Sequence, residues 1–256
     1  MSGKPNQKFK TVFADVLNMV RLLAMYFGLY ILSYLALSST ALKGTSAPVG
    51  LISLGIAGGI TFICLPKDHR KFTFAVSGKI LKFFGIILLS TGLTLLLNRL
   101  MNVIPWDSFL PKNLNLPEQD NFTIPLWLAL LGYGVLAPFS EEVCFRGILY
   151  PYFAKWMKAP VAVLLSALLF ALYHMNLVQG IYAFVMGAVM AAVVHKTKAL
   201  SASILFHMTS NLLVTLYSYQ KPLYDFLVSV PGLIVAVLAF VAGLVLILTG
   251  KKESTQ

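Results

Sequence analysis

Charge is scarce in this sequence. Of 256 residues, only 11% are charged and only nine are acidic, whereas 58% are hydrophobic and the mean hydropathy is +0.82. A soluble domain of this size carries charge on about a quarter of its residues. The composition therefore excludes an ordinary soluble domain and favours a protein embedded in lipid.

Cysteine is almost absent as well, and familiar metal motifs are missing. The two cysteines, Cys64 and Cys144, both lie in or beside apolar segments and offer neither a disulfide framework nor a CxxC pair. The chain also contains no HExxH, the helical motif in which two histidines bind zinc. A metal site is therefore not indicated by any local motif.

Long apolar runs recur along the whole chain. Each is close to the roughly 20 residues that a helix needs to cross ~30 Å of hydrocarbon. Because lipid cannot hydrogen-bond to the backbone, such runs must be helical. The sequence therefore predicts an all-α, polytopic helical membrane protein with about eight transmembrane helices. The predicted spans are 16–38, 48–66, 76–98, 124–157, 160–176, 178–195, 199–220 and 228–249.

The net charge of +11 has a topological explanation. Basic residues cluster before the first predicted span and after every second span, whereas the longest intervening loop holds Asp107, Glu118 and Asp120. This positive-inside pattern predicts that both termini are cytoplasmic. The excess of basic residues then reflects membrane topology, with some attraction to anionic lipid, and does not indicate nucleic-acid binding. His69 and His195 belong to these basic regions and are expected to be solvated. The clusters comprise Lys4, Lys8, Lys10, Lys67, Arg70, Lys71, Lys155, Lys158, Lys196, Lys198, Lys251 and Lys252.

A few polar residues fall inside the predicted spans. An ionisable side chain there costs roughly 2.5–3.5 kcal/mol on insertion scales, so it is a functional candidate by default. Residues four apart share a helix face, so Glu142 and Arg146 are predicted to pair and to leave Glu141 free. The candidates are Glu141, Glu142 and Arg146 in APFSEEVCFRG, His174 in LLFALYHMN, and His207 with Asn211 in ILFHMTSN.

The candidates are predicted to meet at one depth. Counting from the basic helix ends at ~1.5 Å per residue, Glu141 lies ~24 Å along its helix, His174 ~21 Å, and His207 and Asn211 ~12 and ~18 Å. The alternative is a span that ends at Pro138, which would leave the glutamates at the membrane surface. The histidines would then be ordinary interhelical packing residues.

Three motifs in order carry a family resemblance. Glu141-Glu142-x-x-x-Arg146, Phe170-x-x-x-His174 and His207-x-x-x-Asn211 together resemble the CAAX-protease and bacteriocin-processing (Abi) family of intramembrane peptidases. Its eukaryotic relatives are the type II CAAX prenyl endopeptidases. The resemblance covers about 124–215, and it implies an endopeptidase of a prokaryotic plasma membrane that acts on a peptide or membrane-anchored precursor.

The same residues suggest a mechanism. Glu141 is predicted to act as the general base on a water that His174 also holds, while His207 and Asn211 donate hydrogen bonds to the oxyanion. Glu142 and Arg146 form a structural ion pair, and no cofactor is required. The alternative is a catalytic zinc held by Glu141, His174 and His207.

The chain is predicted to divide into three parts. These are a membrane-spanning scaffold at 1–122, the catalytic core at 123–218, and a final transmembrane helix with its tail at 219–256. Two other functions compete with proteolysis. One is a non-catalytic scaffold or bacteriocin self-immunity protein, and the other is a transporter, which the placement of all buried charge in one half disfavours.

Overall fold

A computed structural model of the chain describes residues 4–40, 46–71, 79–108 and 124–249. This part of the chain is helical and contains no strand, which confirms the predicted all-α, polytopic membrane fold. Glu118, Asp120, Lys251 and Lys252 lie outside it. The helices are α1 Lys4–Ser38, α2 Ser46–Cys64, α3 Lys79–Val103, α4 Leu126–Trp156, α5 Ala159–Tyr173, α6 Leu177–Thr197, α7 Leu200–Tyr219, α8 Lys221–Val228 and α9 Val230–Thr249.

Seven of the described helices are long and apolar enough to cross a membrane, so this is an integral membrane protein. The exceptions are the short helix α8 and helix α5, which has 15 residues. At ~1.5 Å per residue, α5 is only about 22 Å long and ends before it would cross ~30 Å of hydrocarbon. The chain turns at Met175, which has a φ of 53°, and Asn176 then caps α6 by accepting a hydrogen bond from Gln179 N. His174 therefore lies at an interior helix end.

Close packing joins α3 to α9 and brings α7 alongside. A side-chain carbon on Gly92 would lie 2.3 Å from the backbone nitrogen of Phe240, and one on Gly243 would lie 2.2 Å from that of Leu89. Such approach of two backbones is typical of membrane helices with small residues at their interface. The α3–α9 pair is thus closely packed, and α7 lies against α3.

The basic helix ends lie at one end of the bundle. Hydrogen bonds or ion pairs join the start of α1 to the end of α4, the loop after α2 to the start of α7, and the end of α6 to the end of α9. This arrangement agrees with the alternation of basic clusters in the sequence. The three contacts are Lys155 Nζ to Asp15 Oδ1 (3.2 Å), Leu200 N to Lys71 O (3.1 Å) and Lys196 Nζ to Leu248 O (3.4 Å).

His69 corrects one expectation, because it is buried and not solvated. Its Nδ1 lies 3.1 Å from the carbonyl oxygen of Gly147, and its ring packs edge-on against Tyr152. Gly147 belongs to the π-helical turn Val143–Leu149 of α4. His69 donates to its carbonyl from the loop after α2. His195, by contrast, is exposed as expected.

Candidate active site

Helix α4 carries the first motif and passes through Pro138 without ending. The turn before the proline is π-helical over Gly132–Leu136, with Ala137 N bonded to Gly132 O five residues back. In that register the next donor would be residue 138, a proline without an N–H, and its partner would be Tyr133 O. The Nδ2 of Asn211 donates to this carbonyl instead, at 3.1 Å. The alternative in which the span ends at Pro138 is therefore not adopted.

Helices α1 and α2 fix the residue next to Glu141. Ser140 Oγ donates to Leu54 O at 2.7 Å, so the Tyr26 hydroxyl, 3.0 Å from Ser140 Oγ, is the donor to that oxygen. Gly58 lets the helices approach, since a side-chain carbon there would lie 2.7 Å from Ser140 Cα. The N-terminal helices thus set the position of the motif helix.

Glu142 and Arg146 form the predicted ion pair inside the protein. Arg146 Nη1 donates to Glu142 Oε1 at 2.6 Å, and neither side chain is exposed. The other end of the guanidinium donates to Gly187 O at 2.9 Å and lies over the Phe170 ring, 4.6 Å from its centroid. Because both charges are buried and paired, each is costly to remove alone.

His207 lies between the two glutamates. Its Nδ1 is 3.0 Å from Glu142 Oε1, and its Nε2 is 3.7 Å from Glu141 Oε2. A carboxylate only accepts, so Nδ1 carries a hydrogen and donates it to Glu142. Glu141 is predicted to be free. It has His207 as a neighbour, but 3.7 Å is too long for a hydrogen bond between them.

His174 is oriented by its own helix. Its Nδ1 lies 2.8 Å from Phe170 O, and since a carbonyl can only accept, Nδ1 is the donor. In the neutral ring Nε2 then keeps its lone pair. The Phe170 ring is buried and packs edge-on against both histidines, with centroid distances of 4.8 Å to His174 and 5.6 Å to His207.

A cavity of about 90 Å³ joins these residues. A hollow of this size has room for several water molecules, because one needs roughly 10–15 Å³ by this measure. Glu141, His174, His207 and Asn211 all line it, so the four predicted catalytic residues face one space, while Glu142 and Arg146 support it from behind. The other lining residues are Phe170, Tyr182, Ala183, Met186, Met190 and Ser210.

Sequence reasoning missed Tyr182 and Ser210, two polar groups of this lining. A phenol and a serine hydroxyl are uncharged at neutral pH, whereas the candidates from the sequence are acidic, basic and imidazole groups together with one motif asparagine. A signal was nevertheless present, because Ser210 directly precedes Asn211 in the motif helix and Tyr182 lies in an otherwise apolar stretch of α6. The catalytic roles assigned to the four predicted residues stay predictions.

The zinc alternative requires three ligands that converge on one point. Within the described residues, no group of three His, Cys, Asp or Glu side chains lies close enough together to hold a metal ion. His207 also uses Nδ1 on Glu142, which leaves it a single nitrogen for any other partner. The side chains as placed do not form a three-ligand site, and no step below passes through a metal.

One protein family and one individual protein show similarity to this chain. The model of the type II CAAX prenyl endopeptidase Rce1-like family matches residues 123–213, which include all three motifs. The UPF0177 protein YbdI of Lactococcus lactis subsp. lactis (strain IL1403) is 34% identical over 100 residues, or 38% of this chain. The match spans about half of that protein's length (52%). Residues 123–213 thus match the type II CAAX prenyl endopeptidase Rce1-like family, the family whose members the three motifs resemble.

Proposed function

We propose that this protein is an intramembrane endopeptidase that hydrolyses a peptide bond of a peptide or a membrane-anchored precursor. The observation that carries the proposal is that a carboxylate, two imidazoles and one amide from α4, α5 and α7 line a single cavity. Each of these groups is costly to place between membrane helices. A site that activates water gives all four groups a use.

Glu141 is the proposed general base. A water placed in the cavity about 2.8 Å from Glu141 Oε2 has an ordinary hydrogen-bond length to that carboxylate. His174 Nε2 accepts the second hydrogen of the same water. Glu141 removes one proton as the water oxygen attacks the carbonyl carbon of the substrate, and the C=O electron pair moves onto oxygen.

His207 and Asn211 are the proposed donors to the oxyanion. When both ring nitrogens of His207 carry a hydrogen, Nδ1 donates to Glu142 and Nε2–H is available to the cavity. Asn211 uses one of its two amide hydrogens on Tyr133 O, which leaves the second for the oxyanion. This arrangement holds the donors rigidly before charge develops, the condition under which such donors are most effective.

Collapse of the intermediate completes the reaction. The C–N bond breaks, the oxyanion electrons re-form the C=O bond, and Glu141 returns its proton to the departing amine nitrogen. The products are a carboxylic acid and an amine, and Glu141 is again ionised for the next water. The buried Glu142–Arg146 pair keeps its charge state throughout and holds His207 in place.

The proposed substrate approaches through the membrane. The cavity wall includes Phe170, Met186 and Met190, whose apolar surfaces suit an apolar or lipid-anchored segment better than a charged one. The family name suggests prenylated CAAX proteins as one class of substrate. The similarity to a Lactococcus protein suggests a prokaryotic plasma membrane, and the basic loops suggest that both termini are in the cytoplasm.

The test compares matched carboxylate-to-amide variants. Wild type, Glu141→Gln and Asp225→Asn are purified in detergent and incubated with a farnesylated CAAX peptide and its unprenylated counterpart. Asp225 is an exposed partner of Lys221 far from the cavity, so its variant controls for the chemical change itself. We expect cleavage by wild type and by Asp225→Asn and none by Glu141→Gln.

Newly formed peptide termini are then mapped in membranes of the native host, with the same variants replacing the wild-type gene. Termini that depend on Glu141 identify the substrate directly. If wild type and Glu141→Gln give the same termini and neither peptide is cleaved, the enzymatic proposal is wrong. A phenotype that instead follows protein abundance in every variant would favour the scaffold or self-immunity alternative, in which the buried ion pair serves only to fasten helices.

A further inference from the structure

A second polar cluster lies behind the cavity, between α3, α6 and α7. Thr94 Oγ1 donates to Ser210 Oγ at 2.8 Å, and the Tyr182 hydroxyl lies 3.5 Å from the same oxygen. Asn98 Nδ2 donates to Thr94 O at 2.8 Å and to the Tyr182 hydroxyl at 3.3 Å. These four residues form a continuous run of hydrogen-bonding groups through an apolar bundle.

The cluster separates two hollow spaces. Tyr182 and Ser210 line the cavity that contains Glu141. Asn98 lines a smaller hollow of about 20 Å³, together with Arg99, Asn102, Tyr217 and Tyr224, which by the same measure has room for about one water. The hydrogen bond between Tyr182 and Asn98 thus joins a residue that lines one hollow to a residue that lines the other.

The smaller hollow lies at the end of the bundle opposite the basic loops. Asn98 and Asn102 are near the end of α3, and Tyr217 is near the end of α7, whereas the basic loops adjoin the start of both helices; Arg99 is a basic residue of the hollow itself. Part of the Asn98 side chain is exposed. The polar run therefore leads from a half-buried residue near the end of α3 to the catalytic cavity.

We infer that the Asn98–Tyr182–Ser210 run is the route by which water reaches the catalytic cavity. The inference rests on the proposed function, because hydrolysis consumes one water for each bond cut and the surrounding hydrocarbon supplies none. A passing water exchanges hydrogen bonds with the amide, the phenol and the serine hydroxyl in turn. The water therefore always has a hydrogen-bond partner. The loss of such partners is the main free-energy cost for a polar molecule that crosses an apolar region.

Interhelical packing alone does not explain the cluster. Ser90, on the same α3–α7 contact, illustrates plain packing, since it is fully buried, donates to Phe206 O at 2.6 Å and borders neither hollow. Asn98 and Tyr182 differ, because each borders a hollow and their bond of 3.3 Å is at the long end of the usual range. A water competes readily for such a bond.

The route is tested by water exchange at a native residue. The full-length protein in detergent is mixed rapidly with ¹⁸O-labelled water and exposed to an X-ray pulse, and the ¹⁸O content of the hydroxylated Tyr182 product is followed with mixing time. Asn98→Leu replaces the amide by an alkyl group. A water that passes residue 98 in this variant has one hydrogen-bond partner fewer, so we expect water exchange at Tyr182 to slow about tenfold.

Two controls isolate the effect. Ser90→Ala removes a buried polar group from the same helix pair and should leave exchange at Tyr182 unchanged. Exposed Tyr224 reports bulk labelling and should exchange equally in every variant. If Asn98→Leu does not fold, Asn98→Met serves the same purpose, and elution as a single species shows which variant is usable.

Each outcome decides. Slow exchange in the Asn98 variant alone supports the route. Unchanged exchange, or exchange slowed equally by Ser90→Ala, overturns it. The measurement does not involve proteolysis, so a failed route with an active enzyme is distinguishable from an inactive protein whose cavity exchanges water as described.

Discussion

The Nδ1 of His207 lies 3.0 Å from Glu142 Oε1, the same oxygen to which Arg146 donates at 2.6 Å. One buried carboxylate oxygen thus joins a permanent cation to an imidazole that faces the cavity. Glu142, the second glutamate of the first motif, therefore holds His207 of the third motif in place, although these residues are 65 positions apart in sequence.

Removing the charge of Glu142 should destabilise the protein strongly. In Glu142→Gln the buried Arg146 loses its counter-charge, and breaking such a pair costs on the order of 3–5 kcal/mol. The double variant Glu142→Gln/Arg146→Met should be much less destabilised, because no unpaired charge remains. Thermal unfolding in detergent measures both, with the exposed Lys221–Asp225 pair as a control that should change stability by about 0–1 kcal/mol when cut. Equal losses in the single and double variants would contradict this account.

Asn211 should affect turnover more than stability. Asn211→Ala removes the proposed oxyanion donor, so we expect kcat to fall by about 10²–10³-fold. It also removes the hydrogen bond to Tyr133 O, which should cost about 0.5–1.5 kcal/mol of stability. Thr209→Ala on the same helix is the control, because Thr209 bonds only to its own helix at Leu205 O.

The Asn211 assignment depends on the size of the kinetic loss. Turnover of the purified variants on a cleaved peptide, at saturating concentration, separates kcat from binding. If Asn211→Ala turns over as fast as Thr209→Ala, Asn211 is a cap for the π-helical turn and not a catalytic donor.

The sequence could predict the meeting of the motifs because helix rise and basic helix ends fix depth. Glu141, His174 and His207 are placed by counting residues from one membrane face, and a few ångströms of tilt do not separate them. Spacing likewise predicts the Glu142–Arg146 pair, since residues four apart on a helix are neighbours. These are properties of single helices and of the bilayer.

Contacts that depend on local backbone register could not be predicted in this way. The partner of Asn211 is a carbonyl that becomes available through a π-helical turn before Pro138, and the partner of His69 is a carbonyl in a second π-helical turn, Val143–Leu149. Both depend on which turn widens and on which neighbour fills the gap. Tyr182 was missed for a different reason, because a neutral phenol in an apolar helix resembles ordinary packing.

His69 should make stability depend on pH. Burial lowers the pKa of His69 from its ordinary value of 6.5, an effect that outweighs the opposing charge of Asp68. The unfolded chain therefore binds a proton more readily than the folded protein, and stability is lost as the pH falls below about 6.5 towards the lowered pKa. Above 6.5 the contribution is fully present.

The variant His69→Gln isolates this contribution. Its side-chain amide can still donate to Gly147 O but does not titrate, so its melting temperature should fall less than that of wild type between pH 7 and pH 5. Parallel melting curves for wild type and His69→Gln across this range would show that His69 does not titrate with folding.

Adjacent glycines on α2 provide a matched pair for the α2–α4 contact. A side-chain carbon on Gly58 would lie 2.7 Å from Ser140 Cα, whereas one on Gly59 has nothing within 4 Å. Gly58→Ala should therefore push the motif helix away and cost about 1–3 kcal/mol, as overpacking usually does. Gly59→Ala should be neutral or slightly stabilising, since alanine favours a helix. Equal melting temperatures for the two variants would mean that α2 does not hold Ser140 and its neighbour Glu141.

Metal analysis distinguishes the proposed mechanism from the zinc alternative. A zinc held by Glu141, His174 and His207 would be lost from His174→Ala, and a strong chelator would abolish activity of the wild type. Water activation by Glu141 predicts neither effect. We therefore expect the purified wild type and His174→Ala to contain equally little zinc by elemental mass spectrometry, and cleavage by the wild type to persist after dialysis against 1,10-phenanthroline. Zinc at one atom per chain in the wild type alone, with activity restored by added zinc, would replace the general-base mechanism with a metal-bound water.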